Sequence, residues 1–149
     1  MNRQEHFHSF EILFWHLSRK MENLWKSIYA KSFPGAQSRI MYLLKQDGPK
    51  KMSELATALH ITAGAVTTAS NLLIQNGYIT RIRNEEDRRV VHLAITEKGR
   101  LTLNELQNEG RNMMKVVFKD LSNEDLKRMH AIFEQASLNI DDIFKGSDS

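Results

Sequence analysis

The side chains best suited to chemistry in this chain are hydroxyls, one amide, one carboxylate and a group of arginines in its middle third. They are Ser53, Thr62, Thr67, Thr68, Asn71, Arg81, Arg83, Asp87, Arg88 and Arg89, and the small residues Ala63 and Gly64 lie among them. Hydroxyls bond base edges and phosphates, an Asn amide can read adenine with two hydrogen bonds, and the methyl groups of Thr and Ala can contact the thymine methyl. Arginines attract phosphates. These types indicate a surface for double-stranded DNA.

No catalytic constellation accompanies these side chains. The sequence has no nucleophile elbow, phosphate-binding loop, dinucleotide fingerprint or HExxH motif. Three carboxylates cluster at 85–87, but this segment is a turn without apolar enclosure, so we expect them to be solvated. We therefore predict no catalytic residues, no cofactor and no enzymatic activity.

Metal and redox chemistry are also poorly supported. The chain has no Cys, which excludes disulfides, thiolate metal sites and cysteine-based redox sensing. Its six histidines are scattered, without a clear i,i+4 ligand pair. We expect no metal site, although zinc or manganese ligands that are distant in sequence could still converge in space.

The composition is that of a globular domain with a hydrophobic core. The 149 residues are 41% hydrophobic and 26% charged, and the net charge of +3 permits nucleic-acid binding without requiring it. No apolar run approaches the roughly 20 residues of a membrane span. The first ten residues lack the apolar segment of a secretory signal. We expect no membrane association and a cytoplasmic location.

Two short helices must position the hydroxyls and the amide. After an amphipathic helix at 37–45, a second helix should begin at Met52, and Thr62 should cap a third that ends near Asn76. Gly77 suits a left-handed stop. The segment of about 52–76 is typical of a helix-turn-helix, whose second helix enters the major groove. An ordinary antiparallel helical pair with a polar outer face is the alternative.

The recognition helix has an unusual charge distribution. Residues 61–76 contain no charged side chain, so its phosphate contacts must come from N-terminal N–H groups and hydroxyls. Positive charge lies next door, in a predicted hairpin with strands at 79–83 and 90–95 and also at Lys50 and Lys51. Such a two-stranded wing can reach a neighbouring minor groove. A solvated hairpin is the alternative.

Long helices should flank this segment. Apolar residues step by three and four from Phe7 to Ile28 and again from Leu126 to Ile143, and a further helical stretch lies at 97–119. The C-terminal helix should begin near Asn123, run to about Phe144 and fray from Gly146. A lone domain would expose too much apolar surface, so we predict a homodimer. Trp15 and Trp25 are candidates for either an effector cleft or packing.

Three elements together resemble the MarR family of bacterial transcriptional regulators. A Leu-rich helix closes on glycine at 71–79, Asp87-Arg88-Arg89 follows at the wing tip, and Ile95-Thr96-Glu97-Lys98-Gly99 leads into the next helix. The flanking helices extend the resemblance over roughly residues 5–144. It implies a mainly α winged helix-turn-helix fold, with dimerisation helices at about 5–31 and 97–144 and a DNA-binding lobe at about 36–96, in one domain spanning 1–149.

The resemblance also implies roles and partners. In the family pattern the aspartate of Asp-x-Arg, here Asp87, holds the wing, and the arginine, here Arg89, reaches the minor groove. Relatives bind a pseudo-palindromic operator, and many respond to a small aromatic or phenolic effector. We therefore expect a sequence-specific repressor released by a small molecule. A protein-interaction module and a constitutive DNA binder without an effector are the alternatives.

Overall fold

The computed structural model describes residues 1–147, which form six helices and one two-stranded sheet. The elements are α1 Arg3–Tyr29, α2 Ala36–Asp47, α3 Met52–Leu59, α4 Ala63–Gln75, β1 Ile79–Arg83, β2 Val91–Ile95, α5 Glu97–Val117 and α6 Asn123–Ser147. This order confirms the predicted class, a mainly α winged helix-turn-helix. The chain divides into two compact units, Met1–Arg111 and a second that begins at Asn112.

The turn between α3 and α4 is fixed by local hydrogen bonds. Thr62 caps α4 as predicted, because its Oγ1 accepts from the backbone N–H of Ala65 at 3.1 Å. Glu54 reaches back to the N–H of Lys51, also at 3.1 Å, and so closes the start of α3. His60 occupies the left-handed region with φ of 54°, and its N–H bonds the end of α3. The chain reverses sharply here.

The core of the first unit lies beneath α4. Val66, Ala69, Ser70 and Leu73 are buried on one face of this helix, and Leu55 of α3 is fully covered. α2 contributes a second apolar face to the same core, and its buried hydrophobic residues are Ile40, Met41 and Leu44. Burial of one face fixes the rotation of α4, and its polar residues other than Ser70 are left on the outside.

The wing is a short antiparallel hairpin anchored at its base. β1 and β2 pair from Ile79–Ile95 to Arg83–Val91. Lys50, just before α3, adds a one-residue bridge to Leu93 through two backbone hydrogen bonds of 3.0 and 2.7 Å. Leu93 is buried at this junction. The sequence indicated Lys50 only as a source of charge.

The exit from the wing holds the end of α4 against the start of α5. Gly77 adopts φ of +79°, as predicted for the stop of this helix. The Thr96 hydroxyl lies 2.7 Å from the Gly77 carbonyl oxygen, and Lys98 Nζ donates to the Asn76 carbonyl at 2.7 Å. A Cβ on Gly99 would overlap the Tyr78 carbonyl oxygen, so only glycine permits this approach.

Helix α1 changes character along its length. Near its C-terminus Ile28 is buried in the first unit. Toward its N-terminus the large apolar side chains Phe7, Phe10, Leu13, Phe14 and Trp15 are all exposed, between 43% and 65%. The seam predicted from Phe7 to Ile28 is therefore covered at one end and open at the other.

The second unit contains the end of α5 and all of α6. Ser122 and Asp125 form the predicted capping box, with reciprocal bonds of 3.1 and 3.0 Å. No residue of α6 is buried, and Phe133, Ile140 and Ile143 are more than half exposed. The helix includes Gly146 and Ser147, so the predicted fraying from Gly146 is wrong for these two residues, and 148–149 lie outside the described part. None of the described helices is long and apolar enough to span a membrane.

Candidate nucleic-acid interface

The outer face of α4 presents the predicted reading residues together. All of them are exposed on the side opposite the buried face, and they are Thr62, Ala63, Gly64, Thr67, Thr68 and Asn71. Ser53 is also exposed, in the first turn of α3. At the N-terminus of α4, backbone N–H groups of the first turn have no hydrogen-bond acceptor within the helix. Such groups can bind an anion such as phosphate.

The two central threonines have their hydroxyl protons committed to the helix. Thr67 Oγ1 donates to the Ala63 carbonyl and Thr68 Oγ1 to the Gly64 carbonyl, each at 3.0 Å. A hydroxyl has one proton and two lone pairs. Outward, both residues therefore present acceptors and methyl groups, which match the amino groups of adenine and cytosine and the thymine methyl.

A hydrogen bond joins the recognition helix to the wing. Arg81 Nη2 of β1 donates to Asn71 Oδ1 of α4 at 3.2 Å, and both residues are exposed. The sequence predicted both as DNA-binding residues but gave no reason to pair them. The bond uses one of the five N–H groups of the guanidinium and leaves the Asn71 amide protons free of it.

The wing tip is built around Asp87. Its Oδ1 accepts from the backbone N–H and the Nε of Arg89, both at 3.1 Å, and its Oδ2 accepts from Arg89 Nη2 at 3.3 Å. These bonds, the side-chain bond first, hold the pKa of Asp87 below its usual value. The side chain of Asp87 is 42% exposed, so this carboxylate is solvated as expected, and the arginine two residues on bonds it in addition. Glu85 and Glu86 are exposed.

Other bonds fix the path of the backbone through the tip. Asn84 Oδ1 accepts from the N–H of Glu86 at 2.8 Å, and the Asn84 N–H donates to the Val90 carbonyl at 3.0 Å. Arg83 Nη1 donates to the Arg88 carbonyl at 3.1 Å. Arg83 therefore braces the loop, a role its charge alone did not indicate. Arg89 remains 91% exposed on this frame.

The residues that hold this surface in place were missed by the sequence interpretation. Lys98 caps α4 and its ammonium lies 4.7 Å from the centre of the Tyr78 ring. Lys98 lies in the first turn of α5, 22 residues after the carbonyl that it bonds, so the sequence gives no signal for this contact. Among the residues that the structure describes, no group of three His, Asp or Glu side chains is arranged to hold a metal ion.

A cleft opens in the first unit between α1 and α2. It encloses about 750 Å³, and Trp25, Tyr29 and Arg39 line both it and an adjoining apolar recess of about 470 Å³. Trp25 lies against Gly110 of α5, where a Cβ would overlap the indole ring. Burial raises the pKa of Tyr29, and the positive charge of Arg111 partly offsets this. Of the two candidate tryptophans, Trp15 is 62% exposed and lines neither cavity.

The chain is similar to known transcriptional regulators in sequence and in structure. A model of the MarR family matches residues 35–91. The uncharacterized HTH-type transcriptional regulator YpoP of Bacillus subtilis is 32% identical over 101 residues, which cover 68% of this chain and 72% of that protein. The fold matches the crystal structure of YusO from Bacillus subtilis with a TM-score of 0.82 and 23% identity, over 93% of this chain and 99% of that one.

A third similarity is to a protein solved with DNA. Streptococcus pneumoniae FabT, in a crystal structure of its complex with DNA, has a TM-score of 0.68 and 25% identity, over 93% of this chain and 99% of that one.

Proposed function

The chain belongs to the MarR family of transcriptional regulators, and from this we propose that it acts as a homodimer that represses transcription by occupying a pseudo-palindromic operator in double-stranded DNA. The observation that carries the proposal is the pairing of two different surfaces. α4 offers exposed acceptors and methyl groups without charge, and the wing beside it offers exposed arginines on a braced tip. The first suits base edges and the second suits phosphates and a minor groove.

Dimerisation supplies the geometry that such an operator requires. Two recognition helices enter successive major grooves on one face of DNA when they are about 34–36 Å apart. Large apolar side chains are exposed along α1 and, separately, along α6, and a soluble monomer rarely leaves contiguous apolar patches open. We propose that both helices bind the second subunit. Within this mechanism the protein acts in the cytoplasm and catalyses no reaction.

We further propose that a small aromatic or phenolic effector releases the operator by binding in the cleft at Trp25. The indole and the Tyr29 ring offer stacking surfaces, and exposed Arg39 offers a charge for a carboxylate or phenolate. The indole also contacts α5 at Gly110. A ligand that binds one arrangement of these helices better than another shifts the population toward it.

The test begins with selection of binding sites from a random-sequence duplex library by the wild-type protein. The expected result is a two-fold symmetric consensus, bound with strong dependence on salt. Binding without sequence preference, or no binding, would contradict the proposal. Placing the consensus at different positions in a reporter promoter then distinguishes repression, which we expect, from activation.

The effector is tested with a panel of aromatic acids and phenols. In the Trp15→Phe variant the remaining fluorescence comes from Trp25, and in Trp25→Phe it comes from Trp15. We expect a ligand that releases the consensus duplex to change the emission of the first variant and not of the second. Release by no member of the panel would favour a constitutive DNA binder.

A further inference from the structure

The outer face of α4 lacks the residue with which proteins most often read guanine. That contact is an arginine or lysine bonded to O6 and N7 in the major groove. Residues 61–76 contain neither. A cation that reaches a base beside α4 must therefore come from a neighbouring element.

The wing arginines have different partners in the described part of the chain. Arg89 is held by Asp87, at the tip, and Arg83 donates to the backbone of the tip loop at Arg88. Arg81 is the one whose guanidinium bonds to α4, through Asn71. Its position on β1 faces the recognition helix, and the other two bonds remain within the wing.

The bond to Asn71 prepares Arg81 for recognition. An exposed arginine that is already held in place loses less conformational freedom on binding than a free one. Four of its five N–H groups remain available, which is enough for a two-bond contact to O6 and N7 of a guanine. Asn71 also keeps its amide protons, so the pair can contact adjacent bases together.

We propose that Arg81, oriented by Asn71, reads one guanine in each half-site, so that the base-specific cation of this protein comes from strand β1 and not from the recognition helix. This inference rests on the proposed function. It treats Arg81 and Asn71 as a pair that recognises the same base together. Their variants should therefore affect the same base pair.

The experiment repeats the selection from the random duplex library with Arg81→Lys, Arg81→Ala, Asn71→Ala and the double variant. Arg81→Lys keeps the charge but loses the planar fork. We expect it to lose discrimination at one guanine per half-site by about 5- to 150-fold, with little change in the salt slope. Arg81→Ala should lose the same discrimination, and its change in salt slope should be smaller than that of a lost phosphate contact.

Asn71→Ala should weaken preference at that same position, and the double variant should discriminate no worse there than Arg81→Ala alone. Arg83→Ala is the matched comparison: it should lower the salt slope and leave the guanine preference intact. Arg81 and Asn71 are both exposed, so we expect their variants to fold like the wild type. Circular dichroism checks this.

Two results would overturn the inference while the proposed function stands. One is uniform weakening of all sequences by Arg81→Ala with full guanine preference in Arg81→Lys, which identifies a phosphate contact. The other is that Asn71→Ala and Arg81→Ala change preference at different base pairs. Failure of the proposed function is distinct, because the wild-type protein itself would then select no consensus.

Discussion

Arg89 and Asp87 form a bidentate ion pair across a single intervening residue. Nε and Nη2 of the arginine donate to the two carboxylate oxygens at 3.1 and 3.3 Å. The aspartate also accepts the backbone N–H of the same arginine at 3.1 Å. One carboxylate thus fixes both the backbone and the side chain of an arginine whose side chain is 91% exposed. A negatively charged side chain thus helps to hold a positively charged one in an exposed position.

The pair predicts an unusual sign for a charge deletion. Asp87→Ala should weaken operator binding, because Arg89 loses its orientation, although removal of a negative charge ought to favour DNA by Coulomb attraction. Glu86→Ala is the matched control, since it removes the same charge one residue earlier without touching Arg89, and it should tighten binding slightly. Salt titrations of both variants provide the measurement. Tighter binding by Asp87→Ala would mean that the tip does not engage DNA in this way.

Loss of Arg89 itself should be measurable in the same assay. Arg89→Ala should weaken binding to the consensus duplex and lower the salt slope by about one per subunit, because one cation is removed from each wing. Thr67→Ala provides the contrast, since it removes no charge and should change base preference without changing the slope. Identical affinity and slope in Arg89→Ala and wild type would exclude a wing contact.

Protonation of Asp87 should break the Asp87–Arg89 ion pair only well below neutral pH. The pKa of Asp87 is depressed in the folded protein, so the pair stabilises the fold at pH values above the pKa of the unfolded state. This stabilisation is lost as the pH falls through the pKa of the folded state. An NMR titration of the carboxyl carbon should give a midpoint below about 3.9, the ordinary value for aspartate. In Arg89→Gln the midpoint should rise. An unchanged midpoint in this variant would show that the arginine is not the cause.

Two glycines should respond oppositely to the same substitution. Gly99→Ala should lower the free energy of unfolding by about 1–3 kcal/mol, because the new methyl overlaps the Tyr78 carbonyl and lies 2.9 Å from Met41 Cε. Gly64→Ala should raise it by about 0.5–1 kcal/mol, because its Cβ meets only Thr62 Oγ1, at 3.9 Å, and alanine favours the helix. Urea unfolding at one protein concentration measures both. Equal effects would contradict the close approach at Gly99.

The buried hydroxyl of Ser70 should lower the stability of the fold. Its Oγ has no hydrogen-bond partner among the described residues, and the residue is fully buried in α4. Ser70→Ala removes an unsatisfied polar atom and should stabilise the protein by about 1 kcal/mol. Ser38→Ala is the control, because that helical hydroxyl donates to the Gly35 carbonyl at 3.2 Å and its loss should destabilise. Thermal unfolding that shows the two variants moving together would refute the distinction.

The exposed end of α1 should be needed for assembly. Phe10→Glu places a charge in the apolar seam and should shift the protein toward monomer or aggregate in sedimentation experiments. Ser9→Glu adds the same charge to the neighbouring position, outside the seam, and should leave the dimer intact. A Phe10→Glu protein with the sedimentation profile of the wild type would argue against a dimer contact at this helix.

Local patterns predicted most of the fold. The apolar periodicity placed the helices and strands close to their observed bounds, since burial of one face is what those periods encode. Thr62 and the Ser122–Asp125 box were predictable because each cap joins residues three apart. Gly77 was predictable because few other residues accept a left-handed backbone.

Contacts between residues distant in sequence were not predictable from one chain. Trp25 against Gly110 and Arg81 on Asn71 depend on how elements meet in space. The orientation of the threonine hydroxyls depends on the choice of rotamer, which the residue type leaves open. The list of candidate DNA-binding residues therefore came from the sequence, whereas the hydrogen bonds among them came from the structure.

The bridge between Lys50 and Leu93 holds the fold together without any of the side chains predicted to bind DNA. It consists of main-chain hydrogen bonds alone, so it can tie the entry to α3 to the root of the wing with any residue at position 50 that keeps a backbone N–H. The exposed candidate DNA-binding residues of α4 take no part in this bridge, so their exchange would leave its hydrogen bonds in place. Under the proposed function, exchange of a single exposed side chain on α4 would therefore change which operator is bound while the root of the wing stays tied to α3.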